Sequence, residues 1–469
     1  MPSIYDRIYA HSPVWIQNIG ISAYGFIWRH RRFGHPFAKY VDDFVARERF
    51  TYAEWHKYQE EQVRRLLKYA IIHVPHYRHA YKHLFKSSDE INDWTFKDLT
   101  KLPVIEKQLI RSAPDAFVSE LSHTERLYTY ETSGTTGTPL YVKFNNHMEK
   151  AAAAAYEARV RRWAGVNYTM SRAMIGGRII IPKSVNQPPF WRYNIAEHQL
   201  YMSAFHISPA NAKHYVTALN HYKPDYLVGY ASSHFFLARM ICEQKLSVYQ
   251  PKAILTSSEK LTQEMRETIQ SAYHCRTYDG YSGLEACCQA SECEYGKMHI
   301  SPDVGVVELL DEQDNPVPDG EIGQIVATGL LNDAQPLIRY KTGDLGILSY
   351  EKCACGREMP VLVELVGRLE DTVVAPDGSE TVRFHGIFVG LPHIREGQIV
   401  QESLTLIRLR LAVTSEFNEG DKAVILKRFA DRLGKEAQIT LEFVDHIERT
   451  ERGKFRAVIS KVERQPSRP

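Results

Sequence analysis

The spacing of apolar residues predicts helices in two long segments of the chain. In residues 50–85 the apolar positions recur every three or four residues, which is the repeat of one helix face. Residues 144–165 show the same repeat, and Asn145 or Asn146 is placed to cap the first turn. Both segments are therefore predicted to be α-helices.

Short apolar runs alternate with further helical patterns in the middle of the chain. The runs at 173–181 and 224–230 predict buried strands, while residues 208–222 and 231–244 carry helical spacing. Residues 251–273 add one more strand followed by a helix. Strands that alternate with helices favour an α/β architecture with a largely parallel sheet.

The pattern changes near residue 300, where polar turns separate strands without intervening helices. Residues 304–382 read as successive strands, which predicts an antiparallel β subdomain. The last part of the chain returns to a strand, a helix and a strand. The predicted fold is α/β: a large N-terminal domain over 1–367, helical over about 1–120, with parallel-rich sheets and the antiparallel subdomain, followed by a small mobile α+β domain over 368–469.

Composition and charge exclude several classes of protein. With 469 residues, 44% hydrophobic and 24% charged, the chain is too long for one ordinary core and is not disordered. Its formal net charge of +2 gives no electrostatic argument for a nucleic-acid partner. The basic run Trp28–His35 is interpreted as a solvated face, with a membrane or nucleic-acid patch as the alternative.

Localisation is predicted from segments that the sequence lacks. No run of about 18 apolar residues predicts a membrane-spanning helix or stable membrane insertion. The first residues carry Asp6 and no continuous apolar core, so no secretory signal is expected. Seven cysteines, an odd number, argue against a disulfide framework. The protein is predicted to be cytoplasmic.

The stretch "ETSGTTGTP" (Glu131–Pro139) is rich in groups that bind phosphate oxygens. Because no Lys follows its second Gly, it does not match the P-loop pattern of the NTPases. Its hydroxyls and the backbone N–H groups at its glycines could still hold a phosphate, or the stretch could be a simple turn. On these residues alone, both interpretations remain open.

Three further loops carry single charged residues with candidate roles. Glu285 in "YDGYSGLEA" is a ligand for Mg²⁺ or a surface acid, and nearby Tyr281 could pack on a base. Asp344 in "RYKTGDLG" accepts from two vicinal hydroxyls or caps a turn. Lys454 in "TERGKFR" neutralises phosphate charge or lies in solvent.

Cysteine and histidine residues form a candidate zinc set. Three thiolates and an imidazole suit a tetrahedral structural Zn²⁺ with no vacant position, although the two pairs are far apart in sequence. The four candidates are Cys293, His299, Cys353 and Cys355. The other cysteines are assigned to the interior: Cys242 and Cys275 as buried small hydrophobic residues, and Cys287 and Cys288 as core residues that compete as ligands.

Taken in order, "TSGTTGTP", "YSGLE", "IRYKTGD", "GRLED" and "RGKFR" resemble the motifs of the acyl-adenylate-forming enzymes. Within them the chain is most similar to the phenylacetate-CoA ligase-like branch and its CapK-like relatives. The resemblance runs from about residue 50 to residue 463. It implies an AMP-forming ligase that activates a small, aryl carboxylic acid with Mg-ATP and transfers the acyl group from the acyl-adenylate to an acceptor.

The same resemblance implies residue roles. Lys454 would bridge the carboxylate and the α-phosphate, Glu285 would bind Mg²⁺, and Glu370 and Asp371 would flank a hinge. The implied nucleotide contacts are Thr132, Ser133, Gly134, Thr135, Thr136 and Gly137 on the phosphates, Ser257, Ser258, Glu259, Asp279, Gly280 and Tyr281 around the adenine, Asp344 on the ribose, and Arg368.

The acid-binding pocket is also implied by the resemblance. Its walls would be aromatic and small, which suits an aryl or short acyl group. The implied wall residues are Phe205, His206, Gly229, Tyr230, Ala231, Ser232 and Tyr278. Some members of the branch carry zinc at positions that match the Cys/His set, which supports the zinc interpretation.

Two departures from the family pattern bear on the acceptor. The Gly-rich loop that follows the hinge in CoA ligases of this branch is replaced by "VVAPDGSETVRFHGIF", and Leu284 stands where Thr or Ser is usual. CoA is therefore one candidate acceptor, and an amine, a hydroxyl or a carrier-protein thiol is the alternative. A non-catalytic nucleotide-binding scaffold is the hypothesis from another class. A zinc-bearing nucleic-acid-binding module is disfavoured by the charge, and a homodimer is left open.

Overall fold

The computed structural model describes residues 4–132, 140–182, 185–368, 373–374, 380–381, 387–388, 391–433, 436–450 and 453–462; for residues 4–7, 123, 368, 380–381 and 432 it describes the backbone. The helices are α1 (Ile4–His11), α2 (Val14–Phe33), α3 (Phe37–Arg47), α4 (Tyr52–His73), α5 (Pro75–Ala80), α6 (Phe96–Leu99), α7 (Lys107–Ser112), α8 (Asn146–Tyr156), α9 (Ala212–Tyr222), α10 (Ala231–Glu243), α11 (Gln263–Tyr273) and α12 (Glu419–Leu433).

The strands are β1 (Tyr128–Glu131), β2 (Tyr141–Phe144), β3 (Arg172–Gly176), β4 (Trp191–Asn194), β5 (Gln199–Ser203), β6 (Tyr226–Tyr230), β7 (Ala253–Ser257), β8 (Thr277–Ser282), β9 (Gln289–Glu292), β10 (Met298–Ile300), β11 (Gly305–Leu310), β12 (Ile322–Gly329), β13 (Tyr340–Ser349), β14 (Val361–Arg368), β15 (Val373–Val374), β16 (Glu380–Thr381), β17 (Ile394–Gln401), β18 (Leu406–Val413), β19 (Gln438–Phe443) and β20 (Val458–Ser460).

Helix ends follow local signals in the sequence. Helix α4 begins at a capping box in which Thr51 and Glu54 satisfy each other's backbone N–H groups. The helix predicted over residues 50–85 is two helices, because Pro75 begins α5 and the residue before a proline leaves the helical region. Asn145 caps α8 by accepting from the backbone N–H of Met148, which confirms the predicted start.

One twelve-stranded mixed sheet dominates the fold. Its strand order is β11-β12-β13-β14-β10-β9-β8-β7-β6-β3-β5-β4. Strands β5, β3, β6, β7 and β8 are parallel neighbours, and β4 and β9 continue the sheet antiparallel. The α/β fold class is confirmed. The predicted antiparallel strands are continuous with the parallel ones rather than forming a separate sheet.

Helices α9, α10 and α11 cover the parallel part of the sheet. Their apolar residues pack with those of β3, β5, β6 and β7 in one buried cluster that includes Ile175, Leu227, Leu237 and Ile269. This is the arrangement expected when crossover helices bury a parallel sheet. The strands and helices predicted between residues 173 and 273 are confirmed in type and order, but the strand predicted over 173–181 ends at Gly176, and β4 and β5 were not predicted.

The chain divides into two compact units. The first comprises Met1–Thr342 and Gly346–Glu364, and the second comprises Gly343–Leu345 and Leu365–Pro469. Within the second unit, β17 and β18 are antiparallel and β19 and β20 flank them in parallel, in the order β19-β18-β17-β20. Helix α12 buries Ile425 and Phe429 in the same cluster as the strand residues Ile407 and Leu409.

No helix among the residues that the structure describes is both long and apolar enough to cross a membrane.

Candidate functional site

Most of the predicted adenine contacts share one edge of the large sheet. Tyr230, Ser257 and Gly280 are direct neighbours across the last positions of β6, β7 and the parallel part of β8. Ser258 and Glu259 follow β7, and Tyr281 follows Gly280. The carboxyl ends of parallel strands are the usual place for ligands in open α/β sheets. The structure therefore brings these predicted residues together.

Asp279 lies one position before this edge. It pairs with Thr256 across β7 and β8, and the Thr256 hydroxyl donates to its Oδ1 at 3.0 Å. Burial raises the pKa of Asp279 to about 7, and the negative charge of Glu292 adds to this shift against the hydrogen bonds from Thr256 and Gly280. Near neutral pH, its carboxyl group therefore exchanges between protonated and charged forms.

Glu285 is a buried acid in the loop that follows β8. The hydroxyl of Tyr340, the first residue of β13, donates to Glu285 Oε1 at 2.8 Å. A Cβ at Gly283 would lie 2.6 Å from Glu285 Oε2, so the loop backbone approaches the carboxylate closely. The carboxylate is held in one orientation, as a metal-binding carboxylate requires.

Glu259 connects the end of β7 to the start of α10. Its Oε2 accepts a 2.9 Å hydrogen bond from the backbone N–H of Ser232 in the first turn of that helix. An acid at this position satisfies an N-terminal N–H group and interacts favourably with the helix dipole. Ser258 adopts a left-handed conformation with φ +70. The predicted acid-site residues Ala231 and Ser232 are thereby tied to the predicted adenine residues.

The remaining predicted acid-site residues fall into three places. Phe205 and His206 follow β5, where Ser203 Oγ accepts from Phe205 N at 3.2 Å and contacts His206 Nδ1 at 2.7 Å. Gly229 lies at the edge and has φ +151; a Cβ there would lie 1.9 Å from Ile175 O, so only glycine fits.

Tyr278 lies away from this edge. It packs beside Leu255 and Tyr226 in a cluster on one face of the sheet, and the Arg276 guanidinium lies 4.8 Å from its ring centre.

The Gly/Thr stretch begins at the end of a β-hairpin strand. Thr132 follows β1, donates its backbone N–H to Leu140 O at 2.9 Å, and accepts from Leu140 N through its hydroxyl at 3.0 Å. The hydroxyl of Thr132 thus binds the residue just before β2 and helps to hold the ends of β1 and β2 together. Ser133, Gly134, Thr135, Thr136 and Gly137 lie outside the described residues.

The other predicted residues belong to the second unit. Asp344 is half-buried in β13, four residues after Tyr340. Arg368 is the last residue of β14, and only its backbone is described. Glu370 and Asp371 lie outside the described residues. Lys454 closes a tight turn in which its N–H donates to Thr450 Oγ1 at 3.0 Å and its carbonyl accepts from Thr450 N at 2.9 Å.

The four predicted zinc ligands form one cluster. Their ligand atoms all lie within 4.8 Å of one another. Cys293 Sγ is 3.8 Å from Cys353 Sγ, and Cys355 Sγ is 3.3 Å from His299 Nε2. Zinc–sulfur bonds of about 2.3 Å in a tetrahedron place two sulfurs about 3.8 Å apart. The donor set therefore fits a structural Zn²⁺.

Surrounding groups orient this cluster. The backbone carbonyl of Met359 lies 3.1 Å from His299 Nδ1, which turns Nε2 towards the thiols. Trp163 meets the imidazole edge-on, with ring centres 6.0 Å apart. Met359 and Trp163 thus fix the imidazole from two sides, and no sequence motif pointed to either residue.

A buried ion network beside the cluster was not predicted. Glu48, just after α3, accepts from Arg159 at 2.7 Å, Trp163 at 3.1 Å and Arg357 at 3.4 Å. Arg159 also donates to Asp303 at 3.1 Å. These residues are far apart in sequence, so no local pattern could reveal the network.

The remaining cysteines divide differently from the prediction. Cys287 and Cys288 are buried in the core, as expected. Cys242 is exposed and Cys275 is partly exposed, so their assignment as buried hydrophobic residues is wrong. Cys242 lies near the end of α10, where the helix turns its last residues to solvent.

Comparisons with known proteins agree with this geometry. A model described as the CapK C-terminal domain matches residues 374–461. Protein CapK of Staphylococcus aureus is 27% identical over 471 residues, covering 97% of this chain and 99% of the relative. Phenylacetate-coenzyme A ligase of Thermus thermophilus is 24% identical over 435 residues, covering 86% of this chain and 95% of the relative.

A solved structure shares the fold. The crystal structure of 2-hydroxyisobutyryl-CoA ligase in complex with R3-HIB-AMP superposes with a TM-score of 0.68 at 21% identity, covering 89% of this chain and 92% of that one. The similarity to CapK over nearly the whole chain and to phenylacetate-coenzyme A ligases supports the predicted acyl-adenylate-forming family. The match of residues 374–461 to the CapK C-terminal domain supports the CapK-like branch. The predicted enzyme class, an AMP-forming acid ligase, is confirmed at the level of this family.

Proposed function

We propose that this protein activates a small carboxylic acid with Mg-ATP, forming an acyl-adenylate and pyrophosphate. The observation that carries the proposal is the row Tyr230, Ser257 and Gly280 at the carboxyl edge of the sheet, with Asp279 and Glu285 beside it. This is the position at which open α/β sheets bind ligands. Similarity to the phenylacetate-coenzyme A ligases supplies the reaction class.

The proposed reaction needs alignment and charge neutralisation rather than a protein nucleophile. A carboxylate oxygen of the acid attacks the α-phosphorus of ATP, the bond from that phosphorus to the bridging oxygen of pyrophosphate breaks, and the electron pair leaves with pyrophosphate. Ser257, Ser258 and Tyr281 would orient the nucleotide base, and Asp344 would bind the ribose. Lys454 would neutralise charge on the reacting carboxylate and phosphate.

Glu285 would hold the Mg²⁺ that accompanies ATP, because a buried carboxylate fixed by Tyr340 is the oxygen ligand that this ion prefers. When bound, Mg²⁺ would neutralise phosphate charge. The Cys/His cluster would hold a structural Zn²⁺, since four protein ligands leave no position for substrate.

The acid is proposed to be aryl or short. His206 stacks on Phe190 with ring centres 4.9 Å apart, and Gly229 admits no side chain. The proposed pocket, bordered by aromatic rings and a bare backbone, would favour a flat or compact group over a long chain.

The acceptor is proposed to be CoA or another nucleophile such as an amine, a hydroxyl or a carrier-protein thiol. Phenylacetate-coenzyme A ligases among the relatives support CoA. Leu284 lies in the loop that carries Glu285 and is 39% exposed. Because it replaces the Thr or Ser that is usual in the family motif, it supports the alternative acceptors.

One screen tests the proposal. Purified protein is incubated with Mg-ATP and a panel of aryl, short-chain and long-chain acids, and pyrophosphate release is measured with and without CoA. We expect release that depends on one class of small acid. If ATP binds but no acid promotes release, the protein is a nucleotide-binding scaffold and the catalytic proposal is wrong.

A further inference from the structure

Helix α2 has its polar face turned inward. The inner positions Gln17, Asn18, Ser22 and Arg29 all contact the segment around β4. Gly25 lies so close that a Cβ there would be 2.6 Å from the side chain of Asn194. A helix on a globular domain normally directs its apolar face to the protein, so α2 is reversed.

The polar residues on the inner face of α2 bind the edge of the large sheet. β4 is the last strand, and one side of it has no neighbouring strand. Asn18 Oδ1 accepts from Tyr193 N at 3.1 Å, and Ser22 Oγ accepts from Ile195 N at 3.1 Å. The helix therefore covers an open sheet edge with side-chain acceptors, which is one way that proteins protect such edges.

The outer face of α2 is apolar, and packing within the described residues does not account for its exposure. Trp15, Ile19 and Phe26 are 63%, 60% and 65% exposed, and Ile27 is 68% exposed. Their spacing places them on one side of a helix about 30 Å long. Ile8 in α1 and Ile195 beside β4 are also exposed, by 61% and 64%. An exposed apolar surface of this extent marks an interaction site.

The segment of the sequence that carries this helix is basic. Residues 7–41 contain five Lys or Arg residues and no Asp or Glu. Arg31 pairs with Glu149 and Lys39 with Asp43. Within the part of the chain that the structure describes, Arg29 and Arg32 have no carboxylate partner.

We propose that α2 binds the surface of an anionic lipid bilayer. Its outer face, defined by Trp15, Ile16, Ile19, Ala23, Phe26 and Ile27, would enter the interfacial region, and the net positive charge of residues 7–41 would attract anionic headgroups. A helix with one apolar face in a basic segment lies in the plane of the membrane. It does not cross it, in agreement with the apolar length available in the described helices.

Charge favours lipid over a second copy of the chain. Two copies packed α2 against α2 would bring together two segments that carry five basic and no acidic residues each. Such a contact is repulsive, whereas an anionic bilayer is complementary. Trp15 and Tyr24 also suit the headgroup region, where aromatic residues with a polar edge are enriched.

Vesicle co-sedimentation of the full chain tests the proposal. The probes are vesicles of phosphatidylcholine mixed with phosphatidylglycerol and vesicles of phosphatidylcholine alone. We expect the protein to bind the anionic vesicles, and this binding should weaken as salt is added. Binding to the neutral vesicles should be weaker than binding to the anionic ones. Ile19→Glu with Phe26→Glu should lower the partition coefficient by about tenfold or more, because charged groups are excluded from the apolar interface.

Matched variants separate the outer face of α2 from general surface charge. Ile72→Glu with Ile322→Glu adds the same charge at exposed aliphatic residues of α4 and β12 and should leave vesicle binding unchanged. Thermal unfolding and pyrophosphate release check that both double variants fold. Absence of wild-type binding, or equal binding by both double variants, overturns the proposal. So does a wild-type dimer, measured by light scattering, that Ile19→Glu with Phe26→Glu converts to a monomer without any vesicle binding.

Discussion

The hydroxyl of Tyr340 donates a 2.8 Å hydrogen bond to Oε1 of Glu285, a residue 55 positions away in the chain. Tyr340 begins β13 and is fully buried, and Glu285 lies in the loop after β8. This bond sets the direction of a carboxylate that we propose as the Mg²⁺ ligand. Tyr340 is therefore a positioning residue for the metal.

Tyr340→Phe should raise the Mg²⁺ concentration needed for pyrophosphate release by about tenfold to a hundredfold, because an outer hydrogen bond that orients a ligand contributes on that scale. The measurement is a Mg²⁺ titration of activity at saturating ATP. Tyr77→Phe is the matched control: Tyr77 is equally buried, and its hydroxyl bonds Pro336 O and Ile338 N instead. It should lose stability and keep the wild-type Mg²⁺ dependence. Equal Mg²⁺ dependence in both variants would remove the role of Tyr340.

Lys454→Ala should lower acid-dependent pyrophosphate release by about a hundredfold or more, because the proposed role of Lys454 is to neutralise the negative charge that develops in the transition state. The turn should persist, since its bonds to Thr450 use the backbone of Lys454. Lys461→Ala, which removes an exposed lysine paired with Glu402, should keep full activity. Wild-type rates for Lys454→Ala with the correct acid would contradict the assignment.

The sequence predicted the site best where a motif coincides with a strand end. Ser257 and Gly280 meet because β7 and β8 are parallel neighbours; the alternation of strands and helices predicted a parallel sheet, and the family resemblance singled out these two residues. The Cys/His cluster was predicted from residue chemistry, although two of its members lie in a segment without regular periodicity. Its confirmation as a cluster depends on β10, which carries His299 next to β9 and β14.

Other features depend on contacts that no local pattern encodes. Glu48 meets Arg357 only after the chain folds, because 309 residues separate them. Tyr278 was predicted as a wall of the acid pocket because it is aromatic. Side chains alternate between the two faces of a strand, and Tyr278 lies on the face that packs against Leu255 and Tyr226. The run Trp28–His35 was interpreted as a solvated basic face, but Arg31 is bound by Glu149 and Tyr130. Hydrophobic periodicity could not reveal which face of α2 packs on the protein, since its polar side is the one that packs.

Zinc content should depend on Cys355 and not on Cys242. Cys355→Ser removes one of four ligands, so metal analysis should fall from about one zinc per chain to a small fraction. The melting temperature should fall by about 5–10 °C, because metal binding to a folded site adds directly to stability. Cys242→Ser replaces an exposed thiol and should change neither quantity. The zinc assignment would be contradicted if the purified wild-type protein contains no zinc and keeps its melting temperature in a chelator.

Asp279 should make the unliganded protein less stable as the pH rises from about 4 to 7. The folded state raises the pKa of Asp279 to about 7, mainly through burial and then through the charge of Glu292, whereas an unfolded aspartate has a pKa of about 3.9. Between these values the folded protein holds a proton that the unfolded chain releases, so the free energy of unfolding falls as the pH increases. Above about pH 7 the loss is complete and the slope ends.

Asp279→Asn should remove this contribution, because an amide is neutral at every pH in the window. Thermal unfolding of both proteins from pH 5 to pH 8 measures the difference: the melting temperature of Asp279→Asn should fall less with rising pH than that of the wild type. Asp311→Asn is the opposite control. The backbone N–H groups of Asn315 and Gln313 lower the pKa of Asp311, so its stabilisation is lost only below the acidic end of this window. That variant should shift the whole curve without changing its slope, and a wild-type slope in Asp279→Asn would assign the pH dependence to another group.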